Sequence, residues 1–359
     1  MGFEFWVFSR TTHSRFGGSR AHDGSKRATA EIGRHKTQNS KRKTQNPMEY
    51  WLALIRSVHI GGSILLASGF AFRLIVLMPA VKAVCGAANE SQSRFEDCLN
   101  RVAFVSLIIV ILSSAAWLWL VAASISGEAM FSGTQLETVE TILFRAQFGR
   151  LWLFRFACCL GLGVLLLMRN RGLTSAGLAV LILASLGGAG HAGANPSSIG
   201  PLLLAGDIGH LVIAAIWPGG LVPLLLYLCE ARRSSDHWNL VVDVVRRFSA
   251  LSLTAVALLG ATGLINAYNL VGSFQALFDS NYGKLLLFKI VLFVLMIGFG
   301  AQNLLVLKPR LMRLAEVQKQ GESPKLVAAL FRNVVCETIL ATGVLLVVGL
   351  LGVTPPPMH

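Results

Sequence analysis

The sequence predicts an all-α, polytopic membrane helical bundle of eight transmembrane helices, arranged as a 4+4 parallel pseudo-repeat. Three observations predict it. Hydrophobic residues make up 54% of the 359 positions and charged residues only 14%, which lies outside the composition of soluble globular domains. Eight apolar stretches reach or approach the ~20 residues a helix needs to cross the hydrocarbon core. An ordered eight-residue motif stands at the head of two of those stretches, 134 residues apart.

Residues 1–47 stand apart from the rest. They carry ten Lys or Arg against Glu4, Asp23 and Glu31, and repeat Lys-Thr-Gln-Asn at 36–39 and 43–46. A polar stretch of this kind buries no core and is expected to be disordered. It shares an Arg-rich, acid-poor composition with organellar presequences and with nucleic-acid-binding tails. Translation from Met48, with the basic extension as upstream sequence rather than native protein, is the preferred reading, and no nucleic-acid partner is expected. The membrane domain is then 48–359, with a first half at 48–200 and a second at 201–359.

The apolar stretches fall at about 50–79, 102–125, 148–168, 173–190, 202–229, 248–270, 284–307 and 334–353. Their connections differ sharply in charge. Those after the first, third, fifth and seventh stretches hold fifteen Lys or Arg, whereas the other three hold only Arg145, Arg150 and Lys284. The positive-inside rule makes the fifteen cytoplasmic, so both termini are predicted periplasmic. None of the six cysteines reaches an outer connection, which predicts reduced thiols rather than a disulfide framework.

The third stretch opens Phe148-Gly149-Arg150-Leu151-Trp152-Leu153-Phe154-Arg155 and the seventh Tyr282-Gly283-Lys284-Leu285-Leu286-Leu287-Phe288-Lys289. Four helices per unit is an even number, so the halves share one orientation and are related by an axis along the membrane normal. The first and fifth stretches echo each other through His59 and His210. Each histidine lies roughly 12–14 Å below the outer surface, at ~1.5 Å rise per residue. Ionisable groups at such depth usually face a cavity or a partner, and the matching depths predict that the two imidazoles face each other in one metal site.

One turn before each histidine stands a charged residue, Arg56 or Asp207, on the same helix face. Asp207 is expected to orient His210 through its second ring nitrogen, to ligate directly, or to pair with Arg56. His191, after Gly187-Gly188-Ala189-Gly190, and the terminal Pro355-Pro356-Pro357-Met358-His359 add outer candidates. Imidazole suits copper, zinc, iron and nickel, while a thioether favours Cu(I). Trp217-Pro218 should kink the fifth helix below His210 and signals a cavity or a moving part. Asn266, Gln302, Asn303, Arg155 and Lys289 are expected to be mostly structural polar groups. No Walker loop, dinucleotide fingerprint or nucleophile elbow is present, so neither ATP-driven transport nor a soluble-type enzyme activity is expected.

Arg247-Phe248-Ser249, Thr262-Gly263-x-x-Asn266, Tyr282 through Lys289, Asn303, and His210 through Trp217-Pro218-Gly219-Gly220-Leu221 resemble the signature regions of the copper resistance D (CopD) family. His191-Ala192, Trp117, Ser126-Gly127 and Phe148 through Arg155 fit as well, so the resemblance covers about residues 50–355. It implies a multi-pass inner-membrane protein that moves copper across the membrane, often with a small periplasmic copper-binding partner of the CopC type. The metal candidates are then His59, His210, Asp207, His191, Met358 and His359, supported by Arg56, Asn266 and Trp217. Two other functions share these features: a b-type haem electron-transfer protein with His59 and His210 as axial ligands, and a non-transporting subunit that docks a copper carrier.

Overall fold

The computed structural model describes residues 24–84, 90–126, 135–189, 200–232, 238–317 and 323–357, with side chains from Met48 onward. Among these residues every regular element is helical. The first half contains α1 (Gly24–Ala71), which runs through a π-helical segment (Phe72–Leu77) into α2 (Met78–Val84). It continues with α3 (Glu90–Ser126), α4 (Gln135–Arg145), α5 (Gln147–Leu167) and α6 (Leu173–Ala184). The second half contains α7 (Gly200–Ile216), α8 (Leu221–Ala231), α9 (Trp238–Val271) and α10 (Phe274–Asp279). It ends with α11 (Asn281–Gln302), a second π segment (Asn303–Leu307), α12 (Lys308–Val317) and α13 (Ser323–Leu351).

Among the described residues, seven helices are long and apolar enough to cross a membrane, the first being Met48–Val84 and the last Pro324–Leu351. The expected fourth span is shorter. Its helix, α6, has 12 residues, about 18 Å at ~1.5 Å per residue, and continues into one 3-10 turn at Gly187–Ala189. Large apolar side chains such as Leu253, Leu264, Ile265, Val294, Leu305 and Ile339 stand exposed on the helices. In water such a surface would be an aggregation liability, whereas against lipid it is the expected exterior.

In the first half α1 packs on α3, α3 on α5, α5 on α6 and α6 on α1, closing a ring of four. The second half repeats that order: α7 on α9, α9 on α11, α11 on α13, and α13 on α8. The halves meet where α1 packs on α7 and α13, and where α6 packs on α7. First-to-fourth helix contacts therefore cross the interface in both directions, which is consistent with a parallel duplication. α1 and α13 approach closely: a methyl group on Gly349 would collide with Ser57 Oγ and the Ala53 carbonyl.

Two short helices, α4 and α10, were not anticipated, and they explain the duplicated motif. Each immediately precedes a motif and turns back over its start. A Cβ on Gly149 would strike the Ile142 carbonyl, and one on Gly283 the carbonyls of Leu277 and Ala276. The aromatic residue ahead of each glycine, Phe148 or Tyr282, is buried at the same junction. At α11 the turn is secured by Ser280, which caps the helix by accepting from the Gly283 N–H at 2.9 Å.

The connections rich in arginine are tied by ion pairs. Arg171 meets Glu96 at 3.1 Å and Asp97 at 2.5 Å, and also accepts a 2.7 Å bond from Arg73 on its carbonyl. Asp243 holds both Arg246 and Arg247. The described cysteines (Cys98, Cys158, Cys159, Cys229 and Cys336) are all free thiols, as expected. Pro218 interrupts the fifth span as predicted: α7 stops at Ile216 and α8 starts at Leu221, because residue 218 has no N–H to continue the ladder.

Candidate functional site

His59 is fully buried, and both of its ring nitrogens are engaged. Nδ1 lies 3.0 Å from Ser113 Oγ on α3, and Nε2 lies 3.1 Å from Arg155 Nη1 on α5. A guanidinium only donates, so Nε2 accepts and Nδ1 carries the proton; this tautomer follows from the hydrogen-bond network. Ser113 in turn donates to the Ile109 carbonyl at 2.6 Å. Arg155, 2% exposed, is anchored on Ser185 through Nε to Oγ (2.8 Å) and Nη2 to the carbonyl (3.2 Å). The Trp117 ring packs on the imidazole at 5.5 Å. Arg56 lies over that same indole at 5.4 Å and donates to the Gly352 carbonyl at 3.3 Å.

His210 is half-buried and more loosely held. Its Nδ1 lies 2.7 Å from Thr262 Oγ1, and Thr262 donates to the Leu258 carbonyl at 2.7 Å. Nδ1 is thus again the protonated nitrogen, and Nε2 has no hydrogen-bond partner among the described residues. Asp207 accepts from Asn266 Nδ2 at 2.9 Å. The Lys289 ammonium stands within electrostatic reach of both Asp207 and His210.

These two settings correspond position by position. Ser113 and Thr262 are 149 residues apart, as are Trp117 and Asn266, while Arg155 and Lys289 are the last residues of the two motifs. In each half the imidazole gives its Nδ1 proton to a hydroxyl on the second helix. In each, the residue three before the histidine meets the residue four after that hydroxyl. In each, the motif's last base stands beside the imidazole. The chemistry has nevertheless diverged. Around its imidazole the first half gathers a buried cation (Arg155), a half-buried one (Arg56) and, among the described residues, no carboxylate, whereas the second holds a carboxylate, one cation and an imidazole with a free nitrogen.

His59 and His210 are each held by side chains of their own half. Asp207 bonds Asn266 rather than orienting His210 or pairing with Arg56. The Nε2 lone pair of His59 faces Arg155 Nη1, whereas that of His210 has no such partner among the described residues. Trp217 packs edge-on against Phe293 at 5.8 Å, one wall of a cavity rather than a neighbour of the imidazoles. His191, Met358 and His359 lie outside the described residues. Among the described residues no three His, Cys, Asp or Glu side chains converge to hold a metal.

Residues 47–201 match the family described as copper resistance protein D-like, N-terminal domain, and residues 242–351 match copper resistance protein D. The chain belongs to the copper resistance protein D family. Among curated relatives, copper resistance protein D of Pseudomonas syringae pv. tomato is 28% identical over 74% of this chain and 85% of its own length. Copper transport protein CutJ of Bacillus subtilis (strain 168) is 34% identical over 50% of this chain and 35% of its own length. Inner membrane protein YebZ of Escherichia coli (strain K12) is 30% identical over 47% and 58% respectively. The chain thus spans about a third of CutJ and just under three fifths of YebZ. No solved structure matches it.

Within this copper resistance D chain, sequence reasoning missed Ser113, gave the Thr262 hydroxyl no role at His210 and understated Arg155. Aligning the halves on the histidines would have found them, because the two hydroxyl positions share nearly the same offset as His59 and His210.

Proposed function

We propose that this protein is a multi-pass inner-membrane copper protein that receives the ion on the periplasmic side and moves it across the bilayer. His210 and Asp207 in the second half form the receiving pair. The observation that carries this reading is the free Nε2 of His210 one helical turn from a carboxylate, in a family named for copper resistance. A neutral imidazole with an open lone pair is a good copper ligand, and the carboxylate offsets the charge of the arriving ion. Asn266 and Thr262 hold the two groups from the neighbouring helix, as outer-shell partners do at metal sites. His191, Met358 and His359 collect the ion outside, and a CopC-type periplasmic carrier delivers it there.

The charge pattern supports both termini in the periplasm, with the Gly200 end of α7 on the outer side. Lys289 is then a tethered cation that neutralises Asp207 until copper arrives. The test is metal analysis of the purified full chain in lipid after loading with copper. His210→Ala and Asp207→Asn should each lower bound copper at least several-fold, with the double variant near background. Unchanged copper content in the double variant would overturn the assignment. Copper flux into vesicles containing only this chain separates a transporter from a docking subunit, since binding without flux identifies the latter.

A further inference from the structure

A second polar site lies in the second half, deeper along the bundle and unrelated to the imidazoles. Glu337, in the middle of α13, is 2% exposed. Its Oε1 accepts from Asn303 Nδ2 at 2.6 Å. Asn303 cannot turn its amide around, because its Oδ1 is held by Asn333 Nδ2 at 2.9 Å, and Asn333 is itself bonded to Gln302 at 3.1 Å. Three amides are therefore spent on presenting one N–H to one carboxyl oxygen. The π-helical segment of the seventh span begins at Asn303, and π segments are over-represented where a helix aims a functional side chain.

Glu337 lines a cavity of about 130 Å³ together with Asn303, Ser249, Ser252, Phe248 and Trp217. That volume holds several waters, given ~10–15 Å³ of such space for each. Oε2 has no hydrogen-bond partner among the described residues and stands on the Gly300 side of the cavity, in ordinary van der Waals range of a Cβ added there (3.7 Å). Among the described residues no charged side chain acts on Glu337, and of those lining the cavity it alone is titratable. A buried carboxylate without a cation is costly in a low-dielectric setting, whereas a carboxylic acid there needs one acceptor and one donor.

Copper finds no imidazole, thiol or thioether in this cavity, and those are the ligands it prefers. Hard divalent cations need about six oxygens, and the site offers one carboxylate and two serine hydroxyls. We propose that Glu337 is a proton-binding site of the membrane interior, carrying its proton on Oε2 and exchanging it with water through the cavity. The Asn303 N–H steadies the ionised form during the exchange. The cavity is walled on its far side by Trp217 and Leu221, at the α7–α8 break.

The test is an infrared pH titration of the full chain in lipid, without copper, comparing wild type with Glu337→Gln. The expected result is a protonated-carboxyl stretch at neutral pH equal to one group per chain and absent from the variant. It should shift in deuterated buffer and disappear at alkaline pH. Asn303→Leu should keep the band but move it, since the acid loses its hydrogen-bond donor. Spectra without a Glu337-dependent band, or a band that neither exchanges nor titrates while the protein stays folded, would overturn the proposal. Because no copper enters the measurement, either outcome is independent of the His210 assignment.

Discussion

Replacing the two histidines in turn should separate stability from copper binding, in opposite directions. His59→Ala empties a site with no solvent exposure, beneath the Trp117 ring, so the removed imidazole leaves a cavity costing about 2 kcal/mol or more. It also takes the acceptor from the buried Arg155 guanidinium and the donor from Ser113; the lost bond to a charged group adds about 1.5–3 kcal/mol. The total is on the order of 3–5 kcal/mol, with some relief if Arg155 finds water. His210→Ala removes one hydrogen bond from a half-buried ring, worth about 1 kcal/mol. Thermal unfolding of the copper-free chain, followed by size-exclusion chromatography after heating, should show His59→Ala losing several times more stability than His210→Ala. Copper content should move the other way, falling in His210→Ala and holding in whatever fraction of His59→Ala stays folded. Equal destabilisation by the two, or copper loss confined to folded His59→Ala, would refute the division of roles between the halves.

Gly149→Ala and Gly283→Ala should each destabilise the chain by about 1–3 kcal/mol or prevent folding, because the new Cβ meets a carbonyl of the preceding short helix that cannot shift freely. Gly298→Ala, where nothing lies within 4 Å, is the matched control and should be neutral or slightly stabilising in the same heating assay. Asn266→Ala should leave the fold intact, since only one partly buried bond is lost. It should nonetheless weaken copper binding severalfold by freeing the Asp207 carboxylate to rotate, which titration of the purified protein with copper will measure.

Much of the architecture was legible in the residues themselves. Apolar runs of sufficient length have one stable solution in a bilayer, the helix, so the spans, their approximate boundaries and the break at Pro218 could be read directly. The seven long helices match stretches located from composition; α6 stops short of its predicted end because Ser185-Leu186 turns and Gly187–Ala189 tightens into a 3-10 turn. The motif at Phe148 and Tyr282 was equally visible, though not its purpose. Only the packed helices show that its glycine makes room for a returning short helix.

The site divides along the same line. Which residue types sit at which depth follows from counting along a helix, and that placed His59, His210, Asp207 and Asn266 within the polar layer of the bundle. Whether an imidazole is free or occupied depends on which neighbour's side chain reaches its nitrogens, and those neighbours lie 52 to 96 residues away in the chain. Arg155 and Lys289 hold the same place in the motif; one spends its charge on a histidine's lone pair, while the other stands beside a carboxylate. Periodicity is a property of one helix and survives in the sequence, whereas hydrogen-bond partnership is a property of two or more and exists only after they pack.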